Sequence, residues 1–318
     1  MIATPAADPI WPDLTYSAWS ETLATLQLWT QIVGKIRLAQ TPWLNHSWHV
    51  TLYVTSRGLT TSPIPHSGRT FEIEFDFLAQ QLIIAASDGG RRTIALEPRT
   101  VADFYAAVSS ALSELKIPVR INEYPCEIAG ATRFSEDRIH SAYDRDHAQR
   151  FWQVLVQVDR VFKQFRTGFV GKASPVHFFW GSFDLAVTRF SGRRAPAFTG
   201  KAPGLDAKVM QEAYSHEVSS AGFWPGGNGI DYAAFYSYAY PTAAQFKNCP
   251  VTPDGAAFNE TLGEFLLPYD VVREAADPDA ALLSFLQSTY EAAAQSAHWN
   301  RTELECPQGA AGTPRNLD

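Results

Sequence analysis

The 318 residues carry 46% hydrophobic, 19% charged and 13% aromatic side chains, ample apolar surface to drive burial and too little charge for a disordered chain. A net charge of −7, from 33 acidic against 26 basic side chains, gives no field to gather nucleic acid or anionic membrane, so neither is expected as a partner. No run approaches the roughly 20 apolar residues that cross a bilayer. Met1 to Pro5 lacks a basic segment followed by an apolar one, and Cys126, Cys249 and Cys306, widely spaced and odd in number, suggest neither a disulfide framework nor a zinc knuckle. These features lead us to expect a cytoplasmic protein.

At this length two packed units of roughly 100–150 residues each are expected. From Trp19 to Ile36, Trp19, Leu23, Leu26, Trp29, Ile32, Val33 and Ile36 recur at three- and four-residue steps and predict an amphipathic helix. Trp48 to Thr55 and Phe71 to Phe77 read as strands, the latter by strict alternation of Phe71, Ile73, Phe75 and Phe77 with Glu72, Glu74 and Asp76. Gln81 to Ala86 and Arg92 to Leu96 flank the turn-rich Ser87-Asp88-Gly89-Gly90, a hairpin signal. Thr100 can cap a helix that buries Val101, Phe104, Val108, Leu112 and Leu115 and stops before Pro118.

A second helix runs from His147 to Phe165, followed by strands over Val176 to Phe190, His216 to Phe223, Phe235 to Tyr240 and Glu264 to Leu267. The closing helix begins at Asp277-Pro278, with proline at its first position. The element order is the same in both halves. Gln31-Ile32 can be laid over Gln157-Val158, carrying Thr41-Pro42-Trp43 onto Thr167-Gly168-Phe169, and a two-residue gap then brings His49 onto His177. The expected class is therefore α+β, two helix–antiparallel sheet–helix units related by a pseudo-twofold axis. The boundaries are 11–119 for the first unit, 120–146 for a connector, 147–299 for the second unit with a mobile insertion at 191–213, and 300–318 for a flexible tail. The competing explanation is that few layer arrangements bury an amphipathic helix on a sheet, so two units can share an order by chance.

The residues that could carry chemistry fall in three clusters. The densest is Ser174-Pro175-Val176-His177-Phe178-Phe179-Trp180-Gly181-Ser182-Phe183-Asp184, continuing to Arg189. Strand alternation puts His177 and Asp184 on opposite faces until a bend intervenes, which Gly181 could supply. His177 set among large apolar residues needs a partner whether it serves a ligand or merely the core. The second cluster, Tyr214-Ser215-His216-Glu217-Val218-Ser219-Ser220 to Trp224, places His216 and Glu217 on opposite faces of a strand, so each needs a different partner. The third is Trp43-Leu44-Asn45-His46-Ser47-Trp48-His49, with Arg57 beyond it.

These clusters give the expected catalytic set His177, Asp184, His216 and Glu217, and the expected ligand-binding set Arg57, Trp180, Arg189, Tyr214, Ser219 and Trp224. The arginines are included because a guanidinium fork suits an anionic group. A composite of His49, His177 and His216 could hold a divalent metal such as zinc, iron or manganese, although no compact ligand motif is present. No nucleotide-cofactor motif, Gly-x-Ser-x-Gly elbow or kinase set occurs.

At Thr41-Pro42-Trp43-Leu44-Asn45-His46, Gly58-Leu59-Thr60-Thr61-Ser62-Pro63-Ile64-Pro65, the Ser174 to Asp184 string and the Tyr214 to Gly226 string, the chain resembles an uncharacterised bacterial family known only as a domain of unknown function. The resemblance spans Trp11 to about Trp299 and implies a stand-alone bacterial protein, with no activity to carry over. The function expected from the residues is small-molecule enzymology by histidine and carboxylate acid–base chemistry, metal-assisted if the composite site forms, on an anionic or polar substrate in a cleft between the halves. The alternatives are a non-catalytic ligand-binding protein with an aromatic pocket formed by Trp48, Trp180, Phe223 and Trp224, or a protein-interaction scaffold. The oligomeric state stays open, since a duplicated chain can stand as a monomer that imitates a dimer.

Overall fold

The periodic apolar residues of the first segment lie on α1, Tyr16–Gln40, and all seven of them are buried. Thr22, Thr25, Thr30, Gln31, Lys35 and Arg37 are buried too, because other elements cover α1 on more than one side. The structure, a computed structural model, describes residues 10–227 and 229–315.

The first sheet comprises Tyr53–Val54 (β1), Gly58–Thr60 (β2), Ile64–His66 (β3), Arg69–Asp76 (β4), Gln81–Ala86 (β5) and Arg91–Ala95 (β6). It is antiparallel in the order β1-β2-β4-β5-β6, with β3 pairing the opening of β4 and β2 its end. The alternation of β4 holds: Phe71, Ile73 and Phe75 are buried, while Glu72 and Glu74 accept hydrogen bonds from Thr60 and Thr55. The strand expected over Trp48 to Thr55 is cut back to β1. Asn45–Ser47 forms a 3₁₀ turn in which His46 and Ser47 take φ of 59° and 57°, left-handed values that no strand can hold. Val101–Glu114 forms α2, capped by Thr100, whose hydroxyl accepts from the Asp103 amide at 3.1 Å.

The second unit opens with α3, Arg145–Thr167, capped by Asp144. Its strands and helices follow as His177–Phe179 (β7), Asp184–Arg194 (β8), Ala207–Ala213 (α4), His216–Trp224 (β9), Ala234–Tyr240 (β10), Ala257–Asn259 (β11), Glu264–Pro268 (β12), Tyr269–Arg273 (α5), Pro278–Ser296 (α6) and Arg301–Leu304 (α7). The second sheet is antiparallel in the order β11-β12-β10-β9-β8-β7. Helices α3 and α6 cover one of its faces, and Phe162 of α3 packs on Phe235 of β10. The expected insertion completes β8, then leads into α4, which packs on the 3₁₀ turn at Asn45–Ser47. The expected tail holds α7 and runs back along α3: the Val170 amide donates to Leu304 O at 2.9 Å and the Gly309 amide to Thr167 Oγ1 at 2.9 Å. Its last three residues, 316–318, lie outside the described ones.

The two sheets meet edge to edge. Leu52 and Phe178 exchange both main-chain hydrogen bonds at 2.8 Å, stitching the segment before β1 to β7. Trp180, just past β7, lies over Gly34 of α1 and donates its indole N–H to Val50 O at 2.7 Å. The helix–sheet–helix order thus occurs twice, as α1, first sheet, α2 and as α3, second sheet, α6.

Candidate functional site

The second sheet has two unlike faces. Leu185 and Val187 of β8 and Ala221 and Phe223 of β9 are buried hydrophobics of the core. Asp184, Ala186, Thr188 and Phe190 of β8, Val218, Ser220 and Trp224 of β9, Tyr236 and Tyr238 of β10 and Glu264 of β12 instead floor a cavity of about 550 Å³. The roof comes from elsewhere in the chain: Leu38 of α1, Trp43, His46, Ser47, Trp48 and Val50 of the first unit, Cys126 and Glu127 of the connector, and Val209, Met210 and Ala213 of α4. Both units and the segments between them therefore enclose one space, of the size that small ligands occupy.

Local structure fixes the polar groups in this wall. Trp180 to Phe183 turns the chain back so that Phe179 pairs with Asp184 and His177 with Ala186, which brings His177, Phe179 and Asp184 to the same face. Phe183 takes a φ of 62° to close that turn. Gly222 allows Tyr236 to lie across β9, since a β-carbon there would stand 2.2 Å from its ring. Tyr236 and Ser182 both donate their hydroxyls to the Asp184 carboxylate. Glu127 is held by its neighbours: Gln31 of α1 bonds both the amide and the carbonyl of Cys126 at 2.9 Å, and the Glu127 amide donates to Pro203 O at 2.6 Å. The Glu127 carboxylate rests on Gly181, where a β-carbon would come within 2.1 Å of Oε1.

The electrostatics are those of carboxyl groups drawn out of water, Asp184 fully and Glu127 and Glu264 in part, with none of them in an ion pair among the described residues. Burial pushes Glu127 up to about 7, with the nearby Asp184 adding to the shift. Burial and Asp184 push Glu264 up to about 7 as well. Asp184 is itself raised by burial, against the lowering effect of its bonds from Ser182 and Tyr236. Among the described residues none of the three forms an ion pair with Lys, Arg or His. His177, 1% exposed, is held neutral by burial down to about 3, and its Nδ1 has no hydrogen-bond partner.

The residues expected to act together divide. His177, Asp184, Trp180, Tyr214 and Trp224 line the cavity, with Tyr214 Oη 3.0 Å from Tyr238 Oη. The rest are engaged elsewhere. Glu217 lies on the opposite face, accepting from Ser191 at 2.8 Å and from Arg193 at 2.6 Å. His216, half-buried, approaches Ser215 Oγ at 3.0 Å and lies 6.1 Å from the His46 ring rather than in the cavity wall. Arg57 pairs with Asp76 at 2.6 Å on the first sheet. Arg189 is buried behind the floor, its guanidinium 3.6 Å over the Phe165 ring and donating to Phe165 O at 2.6 Å. Ser219, beside it in the ladder, shares that face. Among the described residues, the arginine clamp for an anionic substrate is thus absent from this cavity.

His49 lies against Trp43 with its Nδ1 3.2 Å from Leu44 O. Among the described residues no group of three or more His, Cys, Asp or Glu is arranged to hold a metal ion, so the set His49, His177 and His216 is not carried forward.

Sequence reasoning missed Glu127 and Glu264. Glu264 had a weak signal, a carboxylate opening the strand that carries the buried Phe265-Leu266-Leu267 run. Glu127, in the connector, had none. A second depression, around Pro65 to Thr70, offers less: its Arg69 is already bonded to Asp88 and to the carbonyl oxygens of Leu115 and Lys116.

Fold and site together define a two-sheet α+β protein with a half-open, aromatic and acidic cavity. The chain belongs to the family of unknown function DUF5996, which matches residues 11–306. No curated protein and no solved structure matches it. Among the described residues no helix is long and apolar enough to cross a membrane.

Proposed function

We propose that the protein binds a small organic molecule in the cavity between its two units, and that Glu127, Asp184 and Glu264, rather than paired histidines, are the groups that exchange protons with it. The observation that carries this reading is the convergence of carboxylates lacking ion partners on a cavity of about 550 Å³ walled by Trp48, Trp180, Trp224 and Tyr214. Aromatic walls supply shape and contact area, and a few convergent polar groups supply orientation, the usual makeup of a ligand pocket.

Catalysis in this pocket has a specific point in its favour. Glu127 and Glu264, both raised to about 7, sit where a carboxyl group can give and take a proton near neutral pH. The metal-assisted variant has no assembled ligand set behind it.

The test is a thermal-shift and tryptophan-fluorescence screen of the full chain against a metabolite-sized library, with Trp224→Ala alongside. Ligands that raise the melting temperature of the wild type and lose about tenfold in affinity in Trp224→Ala support the pocket, tenfold corresponding to about 1.4 kcal/mol. A library in which every stabilising compound binds Trp224→Ala equally well overturns it. Turnover, once a substrate is found, should fall in Glu264→Gln by more than that variant's loss of ligand affinity accounts for.

A further inference from the structure

We propose that the molecule this pocket takes is an organic cation: a primary or secondary ammonium held among Glu127, Asp184 and Glu264, with its apolar body against the tryptophan and tyrosine walls. The inference rests on the small-molecule reading above and names the ligand class for the same site.

Charge accounting carries it first. Four basic side chains around the second sheet are engaged with other groups. Arg189 lies behind the floor, Arg193 is paired with Glu217, and Lys172 approaches His46 Nε2 at 2.9 Å while lying over the Trp48 and Phe190 rings. Lys35 lies over the Trp180 ring, 5.9 Å from its centroid. The three carboxyl groups line one cavity, Asp184 acts on both Glu127 and Glu264, and among the described residues none of them forms an ion pair, so together they repel an anion and lack the counter-charge that a bound ammonium would bring.

The walls carry it second. Trp48 and Trp180 each already carry a lysine over the ring, so the aromatic surface left for a ligand cation is chiefly Trp224, and ring faces attract a cation most when water is excluded. His177 lines the cavity and is 1% exposed, and its unpartnered Nδ1 is itself shut off from the cavity. Burial keeps that imidazole neutral, so it adds no positive charge against an incoming ammonium.

Entry of the cation favours the charged carboxylates, so protons leave as it binds. The other titratable groups facing this space are Cys126, raised by burial to about 11, the raised tyrosines Tyr214, Tyr236 and Tyr238, and His46, lowered by burial. With the thiol and phenols protonated and His46 disfavoured as a cation at pH 7, released protons report on the carboxylates.

The experiment is isothermal titration of the full chain at pH 7, in phosphate and in MOPS, with matched amine, alcohol and carboxylate triplets on phenylethyl, indolylethyl and butyl frames. The expected result is an amine bound at least about tenfold tighter than its alcohol, no binding of the carboxylates, and proton release seen as a heat that differs between buffers. Glu127→Gln and Glu264→Gln should each weaken the amine by about tenfold and leave the alcohol within about twofold. An alcohol or carboxylate that binds as well as its amine overturns the cation and leaves the pocket standing. No binding of any triplet, while the library screen finds other pocket ligands, also overturns the cation; failure of both experiments overturns the pocket with it.

Discussion

Glu127 and Glu264 make stability depend on pH in a definite direction. Each has an ordinary carboxyl value of 4.5 and is raised by burial to about 7. Below about pH 4.5 both are protonated whether the chain is folded or not, and burying them carries no charge penalty. As pH rises from there through about 7, the unfolded chain gives up protons that the folded chain keeps, so stability is lost across that window. A tenfold change in proton affinity corresponds to about 1.4 kcal/mol, which makes the loss on the order of a few kcal/mol across the window. Glu127→Gln and Glu264→Gln should therefore raise the melting temperature at pH 8 and leave it almost unchanged at pH 4.5; an equal change at both values would show that the carboxylates are not buried as described. His177 has the opposite sign. Lowered from 6.5 to about 3, it contributes stability above about 6.5 that is lost as pH falls through about 3. Since His177 is packed by Trp48 and Phe179, His177→Ala should cost about 2–4 kcal/mol through the space it leaves. A lowered urea midpoint at unchanged slope would register that cost, and loss of activity in this variant alone would not make the histidine catalytic.

At the scale of elements, Gly34 of α1 shows how the core sets the pocket. A β-carbon at Gly34 would lie 2.2 Å from the Trp180 indole nitrogen, the same nitrogen that donates to Val50 O. Gly34→Ala should cost about 1–3 kcal/mol by overpacking and also weaken ligand binding, because Trp180 is a cavity wall. Reduced stability with pocket affinity intact would separate the wall from the helix and sink this coupling. The long elements were legible in sequence because their periodicity is imposed by one buried side: β4 alternates, α2 begins at its Thr100 cap, and α6 begins at Asp277 with Pro278 in its first turn. The short ones were not. β2 and β3 are three residues each, held by pairing to β4 rather than by any pattern of their own. The site was half legible for the same reason. His177, Trp180, Asp184, Tyr214 and Trp224 sit in dense polar–aromatic strings, yet their faces depend on the Trp180 to Phe183 turn, and Glu127 reaches the cavity through long-range bonds to Gln31 and Pro203 that leave no local trace.

For the whole molecule the joint between the sheets decides behaviour. The alignment that lays His49 over His177 carries Val50 onto Phe178 and Leu52 onto Trp180. In the structure Leu52 pairs with Phe178 through two main-chain bonds, whereas the matched contact, Trp180 to Val50, is a single bond from the indole N–H, so the two halves of the joint are not equivalent. The joint also links the stabilities of the two units. Helix α3 packs on α1 and β1 as well as on its own sheet, and the cavity takes walls from both units and the connector. Heating should therefore give one calorimetric transition with equal calorimetric and van't Hoff enthalpies, rather than one per unit. A pocket ligand at about 100 times its dissociation constant should move that whole transition, adding about 2.7 kcal/mol of stability. Two resolved transitions, with only the later unit shifted by ligand, would mean that the first unit merely touches the site; one transition moving as a whole means that both units must be folded for the pocket to exist.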